Sequence, residues 1–349
     1  MRSRIASIDT RKEADMKTKT ALVLGATGGI GGELTQALLR RGWTVRALHR
    51  DPAKAAQTQA HAALQWVAGD ALEADSVVRA AQGASLIVHA VNPPGYRRWE
   101  ALVLPMLEST LRAARASGAR ILLPGNLYNY GADAFADPHE GAPQHPVTRK
   151  GAVRVAMERR LREAAADGVR SLVVRAGDFF GPNAGNNWFS QGLVKPGRPL
   201  ASVSDPGRPG LGHQWAYLPD VAETMLRLVE REDALADFDT FHMQGHWDAD
   251  GRQMIEAIRR ASGRPGLPVK RFPWGLLSLA APFVPLFREL REMRYLWQHP
   301  IRMRNDKLVA LLGEEPRTPL DVAVRTTLAG LGCLDLKDAA PGLAANGRS

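Results

Sequence analysis

The stretch VTRKGAVRVAMERR, residues 147–160, sets Lys150 and Arg154 four positions apart, with Glu158 one turn further. Residues so spaced share a helical face, so two cations stand side by side. In water such a pair is a solvated stripe. Against nucleic acid it neutralises phosphates, and inside a cleft it holds an anionic substrate or cofactor. Arginine stays protonated and cannot shuttle a proton. A lysine can do so where burial and a neighbouring cation depress its pKa toward neutrality. Upstream, Asn126 has the chemistry to orient a carbonyl or stabilise an oxyanion. Tyr128 adds a phenolic donor two residues later.

A second constellation is VLGATGGIGG, where Gly25, Gly28 and Gly31 form G-x-x-G-x-x-G between an apolar run and a helical segment. Such glycines permit a tight turn, a close approach of backbone to a pyrophosphate, and close helix–strand packing. The free N–H groups of the helix N-terminus then face the phosphates, so Thr27, Gly29 and Ile30 are expected at the cofactor too. At the end of the next strand, His49 and Arg50 stand where an NAD-binding protein places an acid. Asp51 reads as a helix cap. An arginine suits a ribose 2′-phosphate, so NADP(H) is preferred over NAD(H). Asp70 closes the third strand, to accept from an adenine amino group or to cap the next helix. Ala90, ending the fourth strand, is expected to face the cofactor.

These residues need a scaffold. From Thr20 onward apolar runs of strand length (ALVLGA, WTVRAL, LQWVAGD, SLIVHAV, RILLPG, RSLVVRA) alternate with helical segments. That rhythm implies an α/β fold, a Rossmann-type doubly wound parallel sheet. Residues 19–245 are expected to form the cofactor-binding domain, with 183–213 an irregular Gly/Pro/Asn-rich excursion into a substrate lobe. Residues 246–335 read as a smaller, mostly helical substrate lobe; 1–18 and 336–349 read as tails. TFHMQG is a further candidate strand.

Composition narrows the class. The chain has 349 residues, 45% hydrophobic, and a formal net charge of +10. The cations are interspersed with acids and no zinc-finger or RNP signature is present, so nucleic acid is not an expected partner. A single cysteine, Cys333, excludes an intramolecular disulfide and any multi-cysteine metal site. His213 and His246 have no metal-ligand spacing, and no metal is expected. The first 18 residues lack an apolar signal region, and either Met1 or Met16 serves as the start. WGLLSLAAPFVPLF, residues 274–287, is shorter than the ~20 residues of a membrane span and contains prolines. It reads as a core or pocket-lining helix. No membrane partner is expected, and the location is expected to be cytoplasmic.

Taken together, GATGGIGG, the GD at Asp70, SLIVHAV with His89, NLYNYG, VVRAGDFFGP and YLPDVA resemble the ordered motifs of the short-chain dehydrogenase/reductase superfamily. The likeness is to its extended or atypical branch, the NAD-dependent epimerase/dehydratase and NmrA-like relatives, and covers roughly residues 19–245. The resemblance implies a Tyr-x-x-x-Lys pair on the helix after strand five, with a Ser or Thr at that strand's end. In this chain Lys150 takes the Tyr position, Arg154 the Lys position and Asn126 the Ser/Thr position. Glu158 matches a glutamate that often follows. Tyr128 is the first candidate to replace the lost tyrosine, with Tyr96 and Tyr217 as others.

Function is then expected as NADP(H)-dependent oxidoreductase or epimerase/dehydratase chemistry on a small carbonyl or hydroxyl substrate. Lys150, Arg154, Asn126 and Tyr128 form the catalytic set, and Arg154 also holds ribose hydroxyls. Tyr96, Asn187, Trp188 and Trp215 are expected at the substrate, within a partly apolar set that includes Phe189 and Trp297, with Asn186 and His213 adding hydrogen bonds. The alternative is a non-catalytic NADP(H) sensor of the NmrA-like kind. The resemblance also implies a homodimer in which the helices at Trp99–Ala116 and Lys150–Ala166 pair, unless their apolar faces pack on the sheet.

Overall fold

The structure, a computed structural model, describes residues 19–93, 99–185 and 187–334. The expected tails, Tyr96 and Asn186 lie outside the described residues. Among these, seven parallel strands form the central sheet: β1 (Thr20–Leu24), β2 (Thr44–His49), β3 (Leu64–Ala68), β4 (Leu86–His89), β5 (Arg120–Asn126), β6 (Ser171–Ala176) and, later in the chain, β10 (Phe238–His242). Their order is β3-β2-β1-β4-β5-β6-β10. The inner strands β1, β4, β5 and β6 are buried on both faces, as a helix-covered parallel sheet requires, while the edge strand β3 is partly exposed. The strand order reverses at β1, which pairs with both β2 and β4. The crevice beyond the carboxyl ends of β1 and β4 is therefore where a ligand fits such a sheet.

Helices cover both faces. Leu34 and Leu38 of α1 (Gly29–Arg40) share one core with Val221 and Met225 of a later helix at Leu218–Val229. Between α1 and that helix come α2 (Pro52–Thr58), α3 (Ala74–Ala80), α4 (Trp99–Ser117) and α5 (Arg149–Ala165), making the later helix α6. On the opposite face Val77 of α3, Leu107 and Leu111 of α4, and Met157 and Leu161 of α5 share a second core with Ile121 and Val173. The apolar side of α4 thus packs on its own sheet.

α5 is locked twice. Thr148 caps its N-terminus, its hydroxyl accepting from Gly151 N–H at 3.0 Å. Gly151 is needed there, because a Cβ would lie 2.2 Å from the Tyr128 carbonyl oxygen. Further along, Glu158 meets Arg175 of β6 through two parallel hydrogen bonds, Nε to Oε1 at 3.0 Å and Nη2 to Oε2 at 2.5 Å. Both side chains are buried. Arg175 also donates to the Tyr130 hydroxyl at 2.6 Å, and that hydroxyl lies 2.7 Å from His242 Nε2 on β10.

The rest of the chain builds a lobe at the carboxyl edge. β7 (Asp178–Phe180) pairs in parallel with β9 (His213–Tyr217), which pairs antiparallel with β11 (His246–Asp248). β8 (Val203–Asp205) pairs with β12 (Val269–Arg271). Helices α7 (Gln253–Ala261), α8 (Trp274–Ala280), α9 (Pro285–Glu292), α10 (Asp306–Leu312) and α11 (Leu320–Gly330) complete it. The excursion expected at 183–213 is thus not wholly irregular, holding β8 and a helical turn at Phe189–Leu193. Strands of three residues are too short for a period-two pattern to register. The single helix expected over 274–287 is instead two short helices, with Pro282 in the break and Pro285 opening the second. Only part of it is core: Leu277 is buried, whereas Leu276, Leu279 and Phe283 are exposed.

Glu158→Gln should destabilise the protein by about 3–5 kcal/mol, because Arg175 would keep a buried charge without its counter-ion. Urea unfolding of the two proteins measures this. A change below about 1 kcal/mol, as for an exposed pair, would contradict the burial described here.

Candidate functional site

A cleft of about 700 Å³ runs along the carboxyl edge of the sheet. This is within the usual range for small-molecule and cofactor sites. One end is lined by His49, Arg50 and Asp70, the middle by Gly25, Thr27, Gly28, Gly29, Ile30 and Ala90, and the far end by Asn126, Tyr128, Lys150 and Arg154. Elements distant in sequence therefore bring the two constellations into one groove.

The middle is shaped for a phosphate group. Gly25 has φ of +91°, and a Cβ on it would lie 2.5 Å from the Ala90 carbonyl oxygen. The bare backbone leaves that space to the turn, which the Gly28 N–H closes onto Gly25 O at 2.9 Å. Gly28 caps α1 without any side-chain hydrogen bond, so the helix N-terminus faces the cleft uncapped. Thr27 and Gly28 are exposed there. Gly31 lies behind the loop, against the Gly25 carbonyl, and does not line the cleft. These features fit the diphosphate of a dinucleotide.

At the first end, the Asp51 carboxylate accepts from Lys54 N–H at 3.0 Å and caps α2. Asp51 N–H donates to His49 Nδ1 at 3.0 Å, and the His49 ring stands edge-on to Trp66. Arg50 is exposed at the rim. Asp70 accepts from Leu72 N–H at 3.0 Å, while Glu73 holds the cap position of α3.

At the far end, the solvated-stripe reading of Lys150 and Arg154 is excluded, since Lys150 is 6% exposed. Its ammonium lies 2.7 Å from Glu289 Oε2 and 3.9 Å from Glu292 Oε2, and donates to the Glu289 carbonyl at 3.2 Å. Its backbone N–H donates to Glu292 Oε1 at 3.1 Å. Both glutamates belong to α9, so Lys150 ties the lobe to α5. The neighbours of the ammonium include two anions, not only the cation Arg154 that a proton-shuttling lysine was expected to need. Arg154 donates from Nη1 to the Pro124 carbonyl at 3.4 Å, with its guanidinium 5.7 Å from the Trp99 ring centre. Asn126 Oδ1 accepts from Tyr128 N–H at 3.0 Å and shapes the turn after β5.

The Tyr128 hydroxyl donates to Asp178 Oδ1 at 3.4 Å. Asp178 Oδ2 lies 2.9 Å from His213 Nε2, and both residues are buried. His213 is stacked flat on Trp297, with ring centres 3.8 Å apart at 3°, and its Nδ1 lies 3.3 Å from the Leu296 carbonyl. This chain of contacts was not foreseen in the sequence. Its available signal was the Gly177-Asp178 pair after β6, the same dipeptide that follows β3 at Gly69-Asp70.

The expected substrate residues separate. Asn187 and Trp188 line the cleft. Asn187 accepts from Ser190 N–H at 2.8 Å, holding the turn that carries Trp188. Trp215 does not line the cleft: it is 2% exposed and packed among Phe180, Phe189 and Trp297, because β9 turns it into the lobe core. Tyr217 packs on Phe180 in the same core.

Comparison with known proteins agrees with this geometry. Residues 25–177 match the model of a family described as NAD(P)H-binding. A 3-diazoavenalumate denitrifying reductase from a Streptomyces species is 30% identical over 185 residues. That match covers 47% of this chain and 57% of the reductase, so the chain spans little more than half of that relative's length. Among solved structures, the UDP-glucose 4-epimerase of Thermotoga maritima with UDP-glucose has a TM-score of 0.68 at 16% identity, covering 89% of this chain and 98% of that one. The UDP-N-acetylglucosamine 4-epimerase of Bacillus cereus has a TM-score of 0.66 at 14% identity, covering 91% and 98%. At those identities the likeness is one of fold. It upholds the fold that the resemblance to extended short-chain dehydrogenase/reductase enzymes implies.

Two buried histidines bear on stability. Burial, and then the charge of Arg154, pushes His89 down to about 3. Burial and Arg175 push His242 down to about 2. In the unfolded chain such rings titrate near 6.5. Below that pH the unfolded chain takes up protons that the folded rings refuse, so stability falls as pH falls, by about 1.4 kcal/mol per pH unit for each ring. Urea unfolding between pH 7 and 5 should show this slope, and His242→Gln should reduce it. An unchanged slope in the variant would show that His242 is not held neutral.

Proposed function

We propose that the protein is an NADP(H)-dependent oxidoreductase of the extended short-chain dehydrogenase/reductase type, acting on a small, partly apolar electrophile. The carrying observation is the Tyr128–Asp178–His213 chain, which holds a phenolic donor in the cleft that Asn126 and Arg154 also line. The likeness to a denitrifying reductase supports the reductive direction, and the sugar-nucleotide epimerases share the fold without naming this chain's substrate.

A bound NADPH supplies a hydride equivalent, so the chain must supply a proton and hold the substrate. The uncapped N-terminus of α1 and the loop from Gly25 hold the diphosphate. Arg50 at the rim holds the 2′-phosphate, with Asp51 committed to capping α2. Arg154 fixes a ribose hydroxyl or an anionic group of the substrate, and Asn126 orients the accepting atom. Tyr128 gives its hydroxyl proton to that atom, while Asp178 and His213 orient the hydroxyl and favour its reprotonation. Lys150 is a structural cation that keeps α9 on the cleft. Trp188 and Met293 supply apolar walls. The reading divides the chain near residue 245 into a cofactor-binding domain and a substrate lobe, and places it in the cytoplasm.

The second reading, a sensor that binds NADP(H) without turnover, draws on Lys150, whose pairing with Glu289 leaves the helical tyrosine position without a proton donor.

NADPH should bind tighter than NADH, and Arg50→Ala should weaken NADPH alone by about tenfold or more, the loss of a charge-assisted hydrogen bond. Fluorescence titration decides this, and equal loss for both cofactors would remove the 2′-phosphate assignment. In a panel of carbonyl and diazo substrates, Tyr128→Phe should lower kcat by about 10²–10⁴ with NADPH affinity unchanged. Tight NADPH binding with no turnover across the panel would establish the sensor reading. Binding of neither cofactor would defeat both.

A further inference from the structure

The segment after β12 has a surface unlike the rest. Five of the nine large apolar side chains exposed among the described residues lie between Val269 and Val284. Leu276, Leu279 and Phe283 are the most exposed of all, at 72%, 76% and 86%. Single exposed apolar residues are ordinary, but a cluster at the tip of a helical hairpin marks a surface that something covers.

Charge indicates what covers it. From Arg259 to Arg304 the chain carries ten lysines and arginines and two acids, Glu289 and Glu292; Arg259, Arg260, Arg271 and Arg304 pair with acids outside that span, and the hairpin's own cations are the ones that set the charge of this face. Both glutamates turn inward onto Lys150. Arg288 and Arg291 of α9, one turn apart, are instead exposed, and Lys270 is exposed on the strand that leads into α8. The outward face is therefore apolar at its tip and cationic around it. A second copy of the chain would bring the same cations against themselves. An anionic lipid surface satisfies both features: it takes Leu and Phe side chains at the headgroup–acyl boundary and attracts basic residues beside them.

We infer that the α8–α9 hairpin is an interfacial anchor by which the protein docks on an anionic bilayer. Among the described residues no helix is long and apolar enough to cross a membrane, so the contact is peripheral. The inner side of the hairpin lines the cleft through Glu289 and Leu290, with Met293 just beyond it. A bilayer on its outer side is thus separated from the substrate end by about one helix diameter, roughly 10 Å.

Vesicle flotation of the full chain tests this, with phosphatidylcholine alone or with added phosphatidylglycerol. The parent should float with the anionic vesicles and not with the neutral ones, and added salt should weaken the binding. Leu276→Ser/Leu279→Ser/Phe283→Ser should lower the bound fraction about tenfold or more with an unchanged thermal melt. Arg288→Gln/Arg291→Gln should weaken binding and flatten its salt dependence. No flotation of the parent on anionic vesicles would overturn the inference. So would a triple-serine variant that floats as well as the parent. A dimer that the triple substitution dissociates, with no vesicle binding, would assign the patch to a second copy and overturn it equally.

Discussion

Arg175 carries a permanent charge into the middle of the molecule, and Glu158 makes that placement tolerable. A lone buried charge costs several kcal/mol even after relaxation, so the pair persists only with near-ideal geometry and its remaining hydrogen-bonding capacity satisfied. Here the geometry is bidentate, and the third guanidinium nitrogen reaches Tyr130. The pair joins α5 to β6, while Tyr130 and His242 extend it to the loop after β5 and to β10. It fixes the rotation and axial position of α5. Lys150 and Arg154 then have no choice of face: two helical turns and one turn from Glu158, they project at the carboxyl edge of the sheet.

That constraint explains how the cleft is divided. The first turn of α5 presses on the carbonyl of Tyr128 at Gly151, so the helix and the turn after β5 are placed as one unit. Tyr128 is turned toward β7, where Asp178 and His213 wait on neighbouring strands of the lobe. Under the proposed reading the proton donor has moved from the helix to the strand end. The helical position keeps a cation instead, and α9 answers it with Glu289. A tyrosine at 150 would leave those two carboxylates facing each other without a counter-ion. The substitution and the lobe contact therefore make sense together.

How much of this was legible in the sequence follows element by element. β1 to β6 stand out because each is an apolar run bounded by turn residues, and the glycine loop because it sits between such a run and a helix. The placement of Asn126, Lys150 and Arg154 in one groove follows from motif order and helical spacing. β7, β8, β11 and β12 carry no readable period, being three residues each. Trp215 was misplaced because an aromatic in a lobe serves a core as readily as a pocket, and only strand pairing decides its direction. Glu289 and His213 were invisible as partners for a different reason. The first meets Lys150 across 139 residues and the second meets Asp178 across 35, so no local pattern links them.

The lobe shows the same separation of charge at a larger scale. Of the residues between Arg259 and Arg304, the only acids are the two that Lys150 draws inward. Because they are drawn in, the outer surface of the hairpin keeps its arginines without acidic neighbours on the same helix face. Had position 150 been neutral, Glu289 and Glu292 would gain by turning to water, and the outer face would lose much of its positive field. One lysine thus sets the inner wall of the cleft and, through the acids it holds, the sign of the surface on the other side.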